Sequence, residues 1–206
     1  TLSWQAQTAK QPPYTIPSGV PVKPGTKATA ITPKAELDPG FLTEKTYTNR
    51  GFGFEIAFPG SWVIPGIDSE KYWQEKGYDL RPKINRNDPQ QAANIRRYEK
   101  QVTLLLTAYR SAIGTPGNAI LLISAEDLST NPSVKDAVDY FDLMRAQIGT
   151  MKLPLGYEYS VTQAEKLGTQ QFAFLDISTG KEKKRLYATV RDGYAIILAF
   201  TYHSGE

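Results

Sequence analysis

The dipeptide Asp192-Gly193 stands between two apolar runs, Arg185–Arg191 and Tyr194–Tyr202. A two-residue loop of this composition supplies the positive φ that a tight hairpin needs, and so folds its flanking runs back as an antiparallel pair. Two further runs, Tyr157–Thr162 and Gln170–Ile177, come before them, and Ser178-Thr179-Gly180-Lys181 serves as another turn. The last third of the chain therefore reads as a four-stranded meander, which requires an antiparallel sheet.

Upstream segments add to that sheet. Phe52, Phe54, Ile56 and Phe58 alternate as a half-buried strand does, and Pro59-Gly60 ends the run before the extended return at Trp62, Val63 and Ile64. Residues 46–65 thus read as an opening hairpin. Val102–Tyr109 and Ala119–Ala125, separated by Gly114-Thr115-Pro116-Gly117-Asn118, read as two central antiparallel strands. Val134, Ala137, Val138, Phe141, Met144 and Ile148 fall near the 3.6-residue period of an amphipathic helix. Ser133 and Asp136 mark its start and Gly149 and Pro154 its end, while Ser204 could cap a further terminal helix. The expected fold class is α+β, with an antiparallel sheet of about six to eight strands flanked by helices.

Seven of the fourteen prolines (Pro12, Pro13, Pro17, Pro21, Pro24, Pro33, Pro39) precede this pattern, so residues 1–44 read as an extended Pro-rich tail or linker. Residues 45–206 read as one domain, interrupted by a polar, irregular insertion at about 66–100, with a possible helix from Pro89 to Lys100. No cysteine is present, which excludes disulfides, thiolate metal sites and cysteine nucleophiles. With 24 basic and 21 acidic residues, the balance does not suggest a nucleic-acid binder. No apolar run approaches the length of a membrane span. A start at Thr1, the Pro-rich segment, and Ala6 and Ala9 as small residues suited to a signal-peptidase boundary give the expectation of an extracytoplasmic protein, secreted or periplasmic.

The segment Tyr47…Gly51-Phe52-Gly53-Phe54-Glu55-Ile56-Ala57-Phe58-Pro59-Gly60-Ser61-Trp62 resembles the opening of the PsbP-like superfamily. That superfamily includes extrinsic photosystem subunits, the Ran-binding Mog proteins and bacterial envelope proteins. The closing hairpin Leu186–Tyr194 and the order of strands and helix between the two are similar as well. The resemblance implies a PsbP/Mog-like α/β/α sandwich that binds or assembles with partners and carries no catalytic residue or cofactor. The stretch at 66–100 departs from the compact family pattern.

Constellations that could carry chemistry are sparse. His203 is the single histidine, which by itself builds neither a His-rich metal site nor a triad. Ser178-x-x-Lys181 matches a penicillin-recognising motif, but it sits on turn chemistry. The acids Glu126, Asp127, Asp136, Asp139 and Asp142 read as a solvated helix start, and the glycines form no phosphate loop. Two basic groups remain, one at Arg81, Lys83, Arg86, Arg96 and Arg97, the other at Lys181, Lys183, Lys184 and Arg185. Tyr72, Trp73 and Tyr78 interleave with the first. Aromatic and basic side chains together suit recognition of a protein or envelope partner, so the expected interaction surface is Tyr72, Trp73, Tyr78, Arg81, Lys83, Arg86, Arg96 and Arg97, with packing of the aromatics onto the sheet as the equal alternative. The expectation is a non-enzymatic binding or assembly domain. The alternative is a ligand-binding or hydrolytic domain with its site in a helix–sheet cleft.

Overall fold

The computed structural model describes residues 36–66, 69–78, 93, 96, 100–148, 157–179 and 182–203. Among these residues eleven strands fall into two antiparallel sheets. The smaller has the order β1-β2-β3, from Phe41–Thr43, Thr46–Asn49 and Phe54–Ala57. The larger comprises β4 (Val63–Gly66), β5 (Val102–Tyr109), β6 (Ile120–Asp127), β7 (Tyr157–Tyr159), β8 (Gln163–Leu167), β9 (Gln170–Thr179), β10 (Glu182–Arg191) and β11 (Tyr194–His203). Its order is β4-β5-β6-β11-β10-β9-β7, with β8 also paired to β9. The Asp192-Gly193 hairpin forms as its composition requires: both residues have positive φ, and Arg191 faces Tyr194.

Alternation sorts the large sheet into two faces. Leu106, Ala108, Leu121, Ile123, Phe172, Phe174, Tyr187, Ile196 and Leu198 form a front core together with Tyr47, Phe52 and Phe58 of the hairpin region. Ala173, Leu175, Ile177, Ala188, Ala195 and Ile197 form a back core with Phe141 and Tyr140. The three-stranded sheet therefore covers part of the front. Helix α2 (Ala137–Ile148) covers part of the back. Helix α1 (Ser69–Glu75) lies on the back as well, because its Trp73 rests on Tyr109, which leaves β5 on the side opposite Ala108. Helices on both faces were expected. Among the described residues α1 and α2 cover one face, and a second sheet covers part of the other, because Phe52, Phe54 and Phe58 supply there an apolar layer.

Four further differences have local causes. The return at Trp62–Ile64 does not close a hairpin with β3; β4 pairs with β5 instead. The helix buries Tyr140 and Phe141 and leaves Val138 49% exposed, so its inward stripe is Ala137, Tyr140, Phe141 and Met144. Its cap is Asp136, whose Oδ1 accepts from Val138 N and Asp139 N. Finally, β8 had no apolar signature, since Gln163–Lys166 are all exposed. Gly168, at φ +61, turns it onto β9.

Residues 38–43, grouped by composition with the Pro-rich segment, belong to the fold, and Lys34–Glu206 make one compact unit. Asp38 accepts from Gly40 N at 2.8 Å and Gly51 N at 2.7 Å. Asn49, fully buried, donates to Asp38 O at 2.9 Å and accepts from Phe52 N at 2.9 Å. Tyr47 Oη donates to Pro39 O. The approach is so close that a Cβ on Gly40, at φ +69, would lie 2.5 Å from Tyr47 Oη, and one on Gly51 would lie 2.8 Å from Asp38 Cβ. The amides of Gly51 and Gly40 hold the Asp38 carboxyl below its ordinary value.

Candidate functional site

The described residues of the 66–100 segment include one that is not on the surface. Trp73 is 1% exposed and packs edge-to-face on Tyr72, Tyr78 and Tyr109, with ring centroids 5.0, 5.8 and 5.0 Å away. Its position in α1 directs the indole onto the sheet, so it is a core anchor and leaves the expected recognition set. Tyr72 is half-buried under Lys76, Tyr78 is 39% exposed, and Arg96 is exposed and helical, as are Ala93 and Lys100. Arg81, Lys83, Arg86 and Arg97 lie outside the described residues.

The second basic group is internally matched. Lys183 Nζ donates to Ser178 Oγ at 2.8 Å and Lys184 pairs with Glu182 at 3.1 Å. Arg185 grips both oxygens of Asp176, at 2.7 and 2.8 Å. Lys181 lies outside the described residues. His203 is exposed at the end of β11. The acids near the helix are in use as well: Tyr140 Oη donates to Glu126, Ser129 N to Asp127, and Arg145 pairs with Asp142. Among the described residues no group of three His, Cys, Asp or Glu side chains could hold a metal ion.

The helix–sheet interface, where a cleft site was the alternative expectation, is filled. Phe141 of α2 and Leu175, Ala188 and Ala195 of the sheet have no exposed surface, the two alanines letting the helix approach. The grooves lie on the front face instead, where among the described residues the small sheet leaves the β9–β11 end open. Register builds that end as rows: Glu158, Ser178, Lys183 and Tyr202; then Asp176, Arg185 and Phe200; then Phe174, Tyr187 and Leu198. A cleft of about 290 Å³ takes in the first row with Tyr159, Ser160 and Asp176. A second, of about 300 Å³, lies between β3 and the β8–β9 turn.

Between the clefts runs a charged and aromatic relay. Tyr187 touches Phe172, Phe174 and Phe200, and its hydroxyl donates to Glu165 at 2.7 Å. Arg185 lies 4.6 Å over the Phe174 ring. Hydrogen bonds to Asp176 and then to Tyr187 hold the Arg185 guanidinium charged well above its ordinary range. Burial, reinforced by the bond to Glu165 and opposed by Arg185, raises the Tyr187 phenol. Phe172, Phe174 and Tyr187 are themselves buried, so what this arrangement presents is the partly exposed Asp176–Arg185 pair, held in place over an aromatic core, a fixed polar patch suited to recognition. Sequence reading missed it because its members come from four strands and share a face only through register.

Burial also raises the phenols of Tyr47, Tyr109 and Tyr157. In each case the unfolded chain releases the proton near pH 10.0 while the folded chain retains it. Stability from these groups is therefore fully present below that pH and lost as pH rises through the folded values. The urea midpoint should stay level from about pH 7 to 9 and fall steeply between about pH 10 and 11. A midpoint that remains level to pH 11 would contradict these assignments.

No protein-family model matches the chain, and no curated protein matches it significantly.

Proposed function

We propose that this chain is a non-enzymatic binding or assembly domain, acting outside the cytoplasm and engaging a protein or envelope partner through the open front face of β9–β11. The observation that carries this reading is the preorganised surface there. Arg185 is fixed by Asp176 and Phe174, Tyr187 by Glu165, and Lys183 by Ser178, with Tyr202 beside them. Side chains already held in place lose little further freedom on binding. Membership of the PsbP-like superfamily belongs to the same proposal. Its support is the Tyr47–Trp62 opening, the closing hairpin and the strand–helix order.

The test is affinity capture from the native envelope fraction, comparing the wild type with a Lys183→Glu, Tyr202→Ala double variant that folds normally. A loss of at least about tenfold in captured partner is expected, in line with the 1–2 kcal/mol or more carried by central interface residues. Tyr78→Ala, on the far side of the sheet order, should leave capture unchanged. Retention by the double variant, with loss in Tyr78→Ala, would return the interface to the 66–100 segment. Absence of any partner with the wild type would end the proposal.

A further inference from the structure

The second front cleft has an unusual wall. Gly53, Phe54, Glu55 and Ile56 line it consecutively. Neighbouring side chains on a strand point to opposite faces, so four in succession mean that the strand's edge itself borders the space. β3 ends its sheet, and no described strand pairs with its outer side. Phe58 N donates to Lys45 O at 2.8 Å. Bonded and non-bonded pairs alternate along an antiparallel ladder, which makes Tyr47–Ile56 a bonded pair and turns the N–H and C=O of Glu55 and Ala57 away from β2.

The floor of the cleft is apolar, formed by Phe172 and Leu198, which belong to the front core with Phe54 and Ile56 packed beside them. Among the described residues Glu55 is the single charged side chain in its lining, exposed and bonded to the neutral Thr48 hydroxyl. Gln170 Nε2 closes one end by donating to Gly53 O at 2.7 Å.

We infer that β3 accepts an added strand: an extended segment of a partner protein whose residue opposite Glu55 is Lys or Arg and whose two neighbours are apolar. The backbone of that segment pairs with Glu55 and Ala57. Its basic residue lies on the exposed face, about 5 Å from Glu55 across the pair, and the apolar neighbours point with Phe54 and Ile56 toward Phe172 and Leu198. A second copy of this chain is disfavoured, because antiparallel pairing of two β3 edges centred on Glu55 would set two carboxylates directly opposite one another. Strand addition draws affinity from the main chain and specificity from alternate side chains. The inference rests on the binding-domain reading and names a second contact of that same partner.

The probe is a labelled, end-capped pentapeptide with a Val-Lys-Val centre, compared with its Val-Glu-Val counterpart. The Lys peptide is expected to bind at least about tenfold more tightly, and to slow amide exchange of Glu55 and Ala57 by at least about tenfold at saturation. Glu55→Lys should reverse the preference between the two peptides. Ala57→Pro, which removes one outward N–H at an edge where proline is tolerated, should abolish binding in a protein whose other amides remain protected. Equal binding of the two peptides, no protection at Glu55 and Ala57, or no reversal in Glu55→Lys overturns strand addition. If the Lys183→Glu, Tyr202→Ala variant loses its partner while these peptide results fail, the binding-domain reading stands without this contact.

Discussion

Trp73→Ala is expected to lower the stability of the domain by about 3–5 kcal/mol, the usual cost of removing a buried indole. Trp73 is 1% exposed and surrounded by Tyr72, Tyr78 and Tyr109, so the neighbouring rings cannot close the space without losing their edge-to-face contacts. Its Nε1 is buried without a partner in hydrogen-bond geometry, beside the Tyr109 phenol that it influences. Trp73→Phe removes that unsatisfied donor while keeping much of the apolar volume, and should cost well under half as much. Urea unfolding of both variants checks the ordering. A Trp73→Ala protein of wild-type stability would put the residue back on a recognition surface.

Asn49→Ala is expected to cost about 2–4 kcal/mol, although it deletes little apolar volume. Its side chain joins Asp38 O, the Phe52 amide and the Tyr47 hydroxyl, the last at 3.3 Å. Truncation strands the Phe52 N–H inside the core, and an unsatisfied buried donor costs about 1–3 kcal/mol beyond the bonds lost. Asp38 sits in the same network, and its lowered pKa means that its contribution is present above the ordinary value of 3.8 and lost as pH falls through the folded one. The Asn49 variant should therefore show a weaker stability change at acid pH than the wild type, measured as urea midpoints from about pH 5 to 2.5. An unaltered acid limb would mean that Asp38 holds its place without Asn49.

These cases mark where sequence reasoning succeeds and where it stops. The strands β5, β6, β9, β10 and β11 were legible because long apolar runs between Gly-, Asp- and Thr-containing turns leave few alternatives. β8 was invisible because an edge strand exposed on both faces needs no apolar residue. Trp73 could be read either as surface or as core, because polar neighbours in sequence say nothing about which way one helical position faces; it is core. The Tyr47–Trp62 stretch was recognisable as a pattern, but only the structure explains two of its glycines, through Asp38 at Gly51 and through the positive φ and the Arg191 side chain at Gly53. The open front face could not be read at all, since Glu165 and Tyr187 meet across 22 positions and only through register.

The position of β11 bears on how the domain is made. It is the last described strand, yet it lies between β6 and β10 with a ladder on each side. Until it emerges from the ribosome, the β5–β6 hairpin and the β9–β10 hairpin each carry a raw edge with nothing to join them. The Gln170 and Arg191 side chains that hold Phe52 O and Gly53 O likewise arrive more than a hundred residues after the loop they fasten. Closure of the large sheet therefore waits on β11, a topology that folds slowly and exposes sticky intermediates. A chain cut before Tyr194 is two unjoined halves, each with an unpaired strand edge, and is expected to aggregate rather than to form a partly working domain.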